Sequence, residues 1–363
     1  MSKQESGGFP MTIDRLTTPA LLLEESVFNR NRAAMTEILQ DSTLKLRPHY
    51  KSHKCAAIAK MQIADGAAGM TCAKLSEAED LADCGIEDIL IANQITDPWK
   101  IRRGAQLAGD CRLTVCMDDP ANIDAWEKAA GEAGTMVHCL VEYEIGMRRC
   151  GVGTTEEVLA LAARLAACPH LIFDGIQAYA GHISHMEDPA ERAGLTAENS
   201  IKLRLLLDRL MEAGLPARTL SGGSTGTAQL KAAEGLYTEL QAGSYLFMDA
   251  TYRTLDLPFG NALTVLSTVV SAKPGLVVVD AGVKSCGVDQ GMPLPLGITA
   301  EEIVASEEHF QLHRPDRIPS VGEKIRLIPG HCCSTVNLYD KIYVVDGEKV
   351  VDRIAVTARG CCR

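Results

Sequence analysis

Between residues 44 and 250 the chain alternates short apolar runs with stretches whose apolar residues recur at helical spacing. The runs are 44–49, 69–73, 88–95, 112–118, 136–144, 171–179, 217–224 and 238–247. Between them lie SEAEDLADCG, DPWKIRRGAQLAG, NIDAWEKAAGEAG, TEEVLALAARLAA and AENSIKLRLLLDRLMEAG, and Gly85, Gly109, Gly134 and Gly214 close such stretches as left-handed caps do. Eight strands with interleaved helices is the count at which a parallel sheet closes on itself, so the predicted fold is α/β, a (β/α)8 TIM barrel. A doubly wound open sheet is the alternative, and it needs a reversal of strand order.

The character changes after residue 260. NALTVLSTVVSA, GLVVVDAG, EKIRLIPG, KIYVVDGEKVV and RIAVTARG are β-branched runs punctuated by turns, with hardly a helix among them. They predict a second, antiparallel β domain. TPALLLEES (18–26) is strand-like, precedes a helix over 28–39, and can join either domain. His309 and His313 fall in an irregular stretch between the β-domain runs and take no role.

At 363 residues, 46% hydrophobic and 23% charged, the chain suits one large barrel or two domains. Its net charge of −11, without a dense basic run, excludes nucleic acid and anionic membrane as partners. No apolar run is long enough to span a bilayer, and MSKQESGGFP has no apolar signal core. The thirteen cysteines are scattered or adjacent (Cys332 with Cys333, Cys361 with Cys362) and form no C-x-x-C. Reduced thiols in a soluble, cytoplasmic protein are the expectation.

Four constellations carry chemistry. In L-K-L-R-P-H-Y-K-S-H-K (44–54), Arg47, His49, Lys51 and His53 share one parity and on a strand would share one face. A polar face at the C-terminal end of a barrel strand is where such barrels keep their active sites, although a lysine-rich loop after an edge strand is the plainer alternative. Ser221-Gly222-Gly223-Ser224-Thr225-Gly226-Thr227 stands between a strand and the helix-like AQLKAAE, so its backbone can close round an anion at a helix N-terminus. It has neither the Gly-Lys-Ser/Thr of a P-loop nor G-x-G-x-x-G spacing, and fits a single phosphate if it is not simply a flexible turn. Gly243-Ser244-Tyr245 makes a second small-residue turn after the eighth run, where barrels often bind phosphate.

His331 and Cys333 follow KIRLIPG; if the strand direction persists they share a face. Imidazole plus thiolate is a zinc-type pair, and two ligands alone leave the open sphere of a catalytic metal. A buried thiol beside a hydrogen-bonded histidine is the alternative. His182 and His185 occur with Tyr179 in QAYAGHISHM; either imidazole can serve as acid or base, or lie solvated in a loop.

At these residues the sequence resembles the fold-type III pyridoxal-phosphate enzymes, the alanine-racemase-like group. Within it, the match is to the branch of D-threonine aldolase, 3-hydroxy-D-aspartate aldolase and D-serine dehydratase. The resemblance runs from Thr18-Pro19-Ala20 to the terminal TARG. R-P-H-Y-K-S-H-K resembles the Schiff-base motif, which implies that Lys51 holds pyridoxal 5'-phosphate. E-Y-E-I-G-M-R-R-C-G-V (142–152) resembles the segment with an arginine near the pyridine ring, here Arg149. S-G-G-S-T-G-T and A-G-S-Y are similar to the phosphate-binding turns, which implies Ser224, Thr225, Gly226, Thr227, Gly243, Ser244 and Tyr245, with Tyr179 also beside the cofactor. V-D-A-G-V-K-S (279–285) and P-G-H-C-C-S-T-V-N-L-Y-D (329–340) resemble the β-domain motifs.

Two features divide the branch. Q-A-Y-A-G-H-I-S-H-M looks like the aldolase form, whose base falls on His185. The metal motif departs from that form: the aldolases carry His-x-Asp, whereas His331-x-Cys333 is the dehydratase-like, zinc-preferring arrangement. Arg148, where relatives often have a small residue, reads a second substrate carboxylate or lies solvated.

The resemblance implies a lyase that cleaves D-3-hydroxy amino acids, of D-threonine or 3-hydroxy-D-aspartate type, to glycine and an aldehyde. It further implies a divalent metal at His331 and Cys333, zinc first with manganese or magnesium as alternatives, and a homodimer. A zinc-dependent D-serine or D-3-hydroxyaspartate dehydratase is the alternative, and a racemase using Tyr339 the third. The expected division is a cofactor-binding barrel over 27–250 and a β domain over 1–26 plus 251–363 carrying the metal motif.

Overall fold

The computed structural model describes residues 11–363. Its barrel is built from β1 (Lys45–Leu46), β2 (Met70–Cys72), β3 (Asp88–Ile91), β4 (Arg112–Met117), β5 (Val137–Glu142), β6 (Leu171–Ala178), β7 (Thr219–Gly222) and β8 (Glu239–Leu240). All neighbours are parallel, in the order β1-β8-β7-β6-β5-β4-β3-β2. A parallel bridge between His49 and Thr71, with the Thr71 N–H donating to the Pro48 carbonyl at 2.9 Å, joins the two ends of that order. The eight strands read from the sequence are the eight observed.

They were readable because helices cover the outer face while side chains fill the inside, so both parities are apolar. Ile89, Leu90 and Ile91 are all buried, as are Leu113, Val115, Cys116 and Met117. Each of three helices starts on an Asp-Pro pair: Asp97, Asp119 and Asp188 accept from the next turn's N–H groups, and the proline takes the first helical position. These caps fix the loops that leave the C-terminal ends of β3, β4 and β6.

Ion pairs occupy the opposite end. Buried Arg47 lies 2.9 Å from Asp88 and 2.7 Å from Glu239, the first residues of β3 and β8. His138 Nδ1 is 2.7 Å from Asp174, which Arg112 also contacts. Strand parity therefore misplaces Arg47. Only Lys45–Leu46 is regular strand before the chain turns into a 3-10 helix at Tyr50–Ser52, so Arg47 and Lys51 serve different ends of the barrel.

In the β unit, strand Ala20–Glu24 lies between Leu263–Lys273, antiparallel, and Lys341–Asp346, parallel. Leu21, Leu22 and Leu23 are buried, and Leu22 packs with Ile13, Leu16, Leu266, Val345 and Val350. Lys324–Ile328 and Leu276–Val279 also pair with the long strand Leu263–Lys273. The stretch read as irregular is a hairpin of Ala300–Ala305 and Phe310–Pro315, with His313 paired to Leu276. Its signal was the alternation of buried Phe310 and Leu312 with polar residues, hidden in a charged surround.

The chain clusters into a barrel unit, Thr36–Lys51, Ile58–Gly243 and Cys361–Arg363, and a β unit of 11–35, Ser52–Ala57 and Ser244–Gly360. The latter takes most of helix Glu25–Leu39, which the 27–250 boundary gave to the barrel. Asn31 explains it: its amide nitrogen donates to the carbonyls of Leu246 (3.0 Å) and Gly260 (2.8 Å), and its oxygen accepts from Gly260 N–H at 2.8 Å. Residues 1–10 of the expected β domain lie outside the described residues. Among the described residues no helix is long and apolar enough to cross a membrane. None of the thirteen cysteines, all of them among the described residues, is paired in a disulfide.

Candidate active site

A pocket of about 210 Å³ opens at the C-terminal strand ends, lined by His49, Lys51, Asn93, Arg149, Gln177, Tyr179 and Gln241, among others. Lys51 is half-buried on the 3-10 turn Tyr50–Ser52, held by buried Tyr50, whose hydroxyl donates to Asp80. The Arg149 guanidinium lies over the Tyr179 ring, 5.7 Å from its centroid. Gln241 Nε2 donates to Gln177 Oε1 at 2.7 Å and to Ser221 Oγ at 2.9 Å. His53 is fully buried, its Nδ1 accepting from the Cys55 N–H, and does not line the pocket. A larger cavity, about 550 Å³, lies in the β unit and holds none of the expected cofactor or metal residues.

The glutamines and Asn93 were missed in the sequence. Their signal was a polar residue closing an otherwise apolar strand, as in DILIAN, FDGIQA and TELQA. Such a residue at a barrel's upper rim faces the site rather than the core.

Ser221–Thr227 forms a buried turn into the helix Ala228–Glu234. Gly223 takes φ +73°, and Ser224 N–H donates to Thr227 Oγ1 at 3.1 Å. Gly226 packs directly on the next loop: a Cβ there would stand 1.9 Å from the Ser184 carbonyl oxygen. That carbonyl immediately precedes His185, so the histidine segment rests against the glycine turn. His185 is half-buried, and His182 exposed against Gly146. Gly243 and Ser244 are buried, as is Tyr245, whose ring packs on Phe259 at 5.8 Å. Exposed Arg148 stands at φ +52° with its N–H on Glu144.

Gly226→Ala is expected to destabilise the fold by about 1–3 kcal/mol, because the new methyl meets backbone that cannot rotate away. Gly194, inside helix Pro189–Glu212 with open space at its Cβ, is the control. Gly194→Ala should stabilise by roughly 0.5–1 kcal/mol. Denaturant unfolding of both variants checks the opposite signs.

The strand does not continue through His331. It ends at Ile328, and His331 caps a short helix, Cys332–Val336. The expected shared strand face is therefore wrong, yet the helix start leaves the His331 and Cys333 side chains close enough to interact electrostatically. His331 Nδ1 lies 2.7 Å from Asp289. Burial alone lowers the basicity of the imidazole, but Cys333 and Asp289 outweigh it and raise the pKa to about 9. Cys333 Sγ is 3.3 Å from Ser52 Oγ and 3.8 Å from Ser244 Oγ. The Cys332 N–H donates to buried Asp249 at 3.0 Å. Among the described residues no group of three or more His, Cys, Asp or Glu is arranged to hold a metal. A soft thiolate beside an imidazole suits a two-ligand site completed by water or substrate oxygens.

Residues 26–251 match the family of the alanine racemase N-terminal domain, and residues 262–345 the serine dehydratase domain. Over 357 residues the chain is 38% identical to the D-threonine aldolase of an Arthrobacter species, covering 96% of this chain and 94% of that protein. It belongs to the alanine-racemase-like, fold-type III pyridoxal-phosphate enzymes. Within them, it is equally 38% identical over 363 residues to the 3-hydroxy-D-aspartate aldolase of Paracoccus denitrificans, with the same coverage.

The solved D-threonine aldolase of Filomicrobium marinum superposes with a TM-score of 0.94 at 36% identity, over 98% of this chain and 99% of that one. The dehydratases of the alanine-racemase-like group stand further off. D-threo-3-hydroxyaspartate dehydratase of Delftia, solved in a cysteine-to-alanine, metal-free form, gives 0.84 at 27% identity over 95% and 98% of the two chains.

A pyridoxal-phosphate site in this family needs a primary amine, a group for the ring and an anion cradle. Lys51 and Arg149 line one rim pocket, and the glycine turn starts a helix at the end of β7. The residues present fit the cofactor.

Proposed function

We propose that the protein is a pyridoxal-phosphate- and divalent-metal-dependent aldolase, cleaving D-3-hydroxy amino acids of D-threonine or 3-hydroxy-D-aspartate type to glycine and an aldehyde. The observation that carries the reading is the rim pocket holding Lys51 and Arg149, with the His185 segment against the glycine turn. The 38% identity to two aldolases of that specificity supports it.

In this reading Lys51 would hold the cofactor through its side-chain amine. Arg149, stacked on Tyr179, would stand beside the cofactor ring. Ser224, Thr225, Gly226 and Thr227, with Gly243, Ser244 and Tyr245, hold the phosphate. The bound cofactor supplies an electron sink for the bond broken at Cα. A divalent metal at His331 and Cys333 supplies Lewis acidity to substrate oxygens. Zinc is the first candidate because of the thiolate, with manganese and magnesium next. The metal-free form of the related dehydratase accompanies loss of a cysteine, which supports a thiolate ligand here. His185 takes the proton from the β-hydroxyl as the Cα–Cβ bond breaks, and the aldehyde leaves.

In this reading the barrel unit supplies Lys51, Arg149 and the glycine turn, and the β unit supplies His331 and Cys333. A cytoplasmic homodimer is the expected form.

Cys333 favours a second reading, the zinc-dependent dehydratase. A racemase gains little support from Tyr339, whose hydroxyl donates to the Ser285 carbonyl at 2.7 Å and is pushed well above the ordinary tyrosine range, chiefly by burial. The test is incubation with D-threonine, D-serine and D-3-hydroxyaspartate. Glycine and an aldehyde are the expected products; ammonia and a keto acid, with no glycine, reject the aldolase.

A further inference from the structure

Asp289 has no part in the chemistry so far, yet both its carboxylate oxygens are engaged by the metal motif. One is 2.7 Å from His331 Nδ1 and the other accepts from Ser334 Oγ at 2.5 Å. The surrounding loop is fitted to the same turn. His331 N–H donates to the Gly287 carbonyl at 3.3 Å, and Gly287 N–H to Thr335 Oγ1 at 2.9 Å. A Cβ at Gly330 would stand 1.8 Å from the Gly291 carbonyl oxygen, and one at Gly287 would stand 1.9 Å from Ser334 Oγ. Two close glycine approaches therefore hold Asp289 at a fixed distance from His331, although its own side chain is half exposed.

An imidazole that ligates a metal through one nitrogen gains from donating its other N–H to a carboxylate, which fixes tautomer and ring angle and strengthens the ligand. With Nδ1 on Asp289, Nε2 is the nitrogen left for a cation. We propose that Asp289 is the positioning residue of the metal centre, holding His331 so that Nε2 and the Cys333 thiolate close on one divalent ion, with Ser334 orienting the carboxylate. This rests on the metal reading above. A plain surface ion pair would have no effect on metal affinity.

The experiment titrates metal-free wild type, Asp289→Ala, Asp289→Asn and His331→Ala with zinc, in competition with a chromophoric chelator. Asp289→Ala should bind zinc about 10–100-fold more weakly. Asp289→Asn keeps size and an acceptor but no charge, should lose less, and keeps the test alive should the alanine variant fail to fold. Thermal unfolding of the metal-free Asp289 variants should match wild type, which a merely structural role would not predict. If zinc affinity is unchanged in both Asp289 variants while His331→Ala loses the site, the positioning role is overturned and the metal reading stands. If His331→Ala binds zinc like wild type, the metal reading itself fails.

Discussion

Lys51→Ala is expected to leave a folded chain that retains no covalently fixable cofactor and has lost activity by about 10⁴-fold or more, the upper end for one positioned acid–base group. The fold should survive because Lys51 is half-buried on a turn whose anchor is its neighbour, Tyr50, fully buried and bonded to Asp80. The Gln177–Gln241–Ser221 contacts that shape the pocket do not involve the lysine. Among the described residues no other lysine lines that pocket, so none of them offers an equivalent amine. Borohydride treatment followed by peptide mapping reads out the adduct, and circular dichroism controls for folding. A reducible adduct and full turnover in Lys51→Ala would reject the assignment.

The barrel was legible because periodicity reports burial, and in a closed parallel sheet both strand faces are buried. That same rule misled where a strand was assumed to continue. Parity grouped Arg47 with Lys51, but the backbone leaves the strand after Leu46, and Arg47 pairs with Asp88 and Glu239 at the far end. Parity also put His331 and Cys333 on one strand face, whereas a helix start brings them together. The division at Asn31 was out of reach, since its partners Leu246 and Gly260 lie more than 200 positions away. Gln177 and Gln241 were readable in principle, as polar residues at the ends of apolar strands, but nothing in sequence spacing pairs them. Asp289 is similar: only the fitted approach of Gly287 and Gly330 brings it to His331.

His185→Asn is expected to lower glycine and aldehyde formation at least ~100-fold, the low end for a general base, while cofactor absorbance persists. Two observations pull in opposite directions on which reaction this chain performs. In the proposed reading Cys333 would be a dehydratase-like metal ligand, and His185 would take the place of the base in the aldolase form. The base decides more, because a metal that only polarises oxygens tolerates a ligand change, whereas the proton acceptor selects the bond that breaks. The histidine is also firmly placed. On one side the Ser184 carbonyl packs against Gly226; on the other the Arg192 guanidinium holds the Met186 carbonyl at 2.5 Å and Asp188 caps the long helix Pro189–Glu212. Asparagine keeps the size and a hydrogen-bonding end but cannot take a proton at neutral pH, so the loss should fall on kcat with KM little changed. Product analysis of the same variant separates the two chemistries. Undiminished glycine formation in His185→Asn would remove the histidine from the mechanism and assign the base to another group; ammonia and a keto acid in place of glycine would promote the dehydratase.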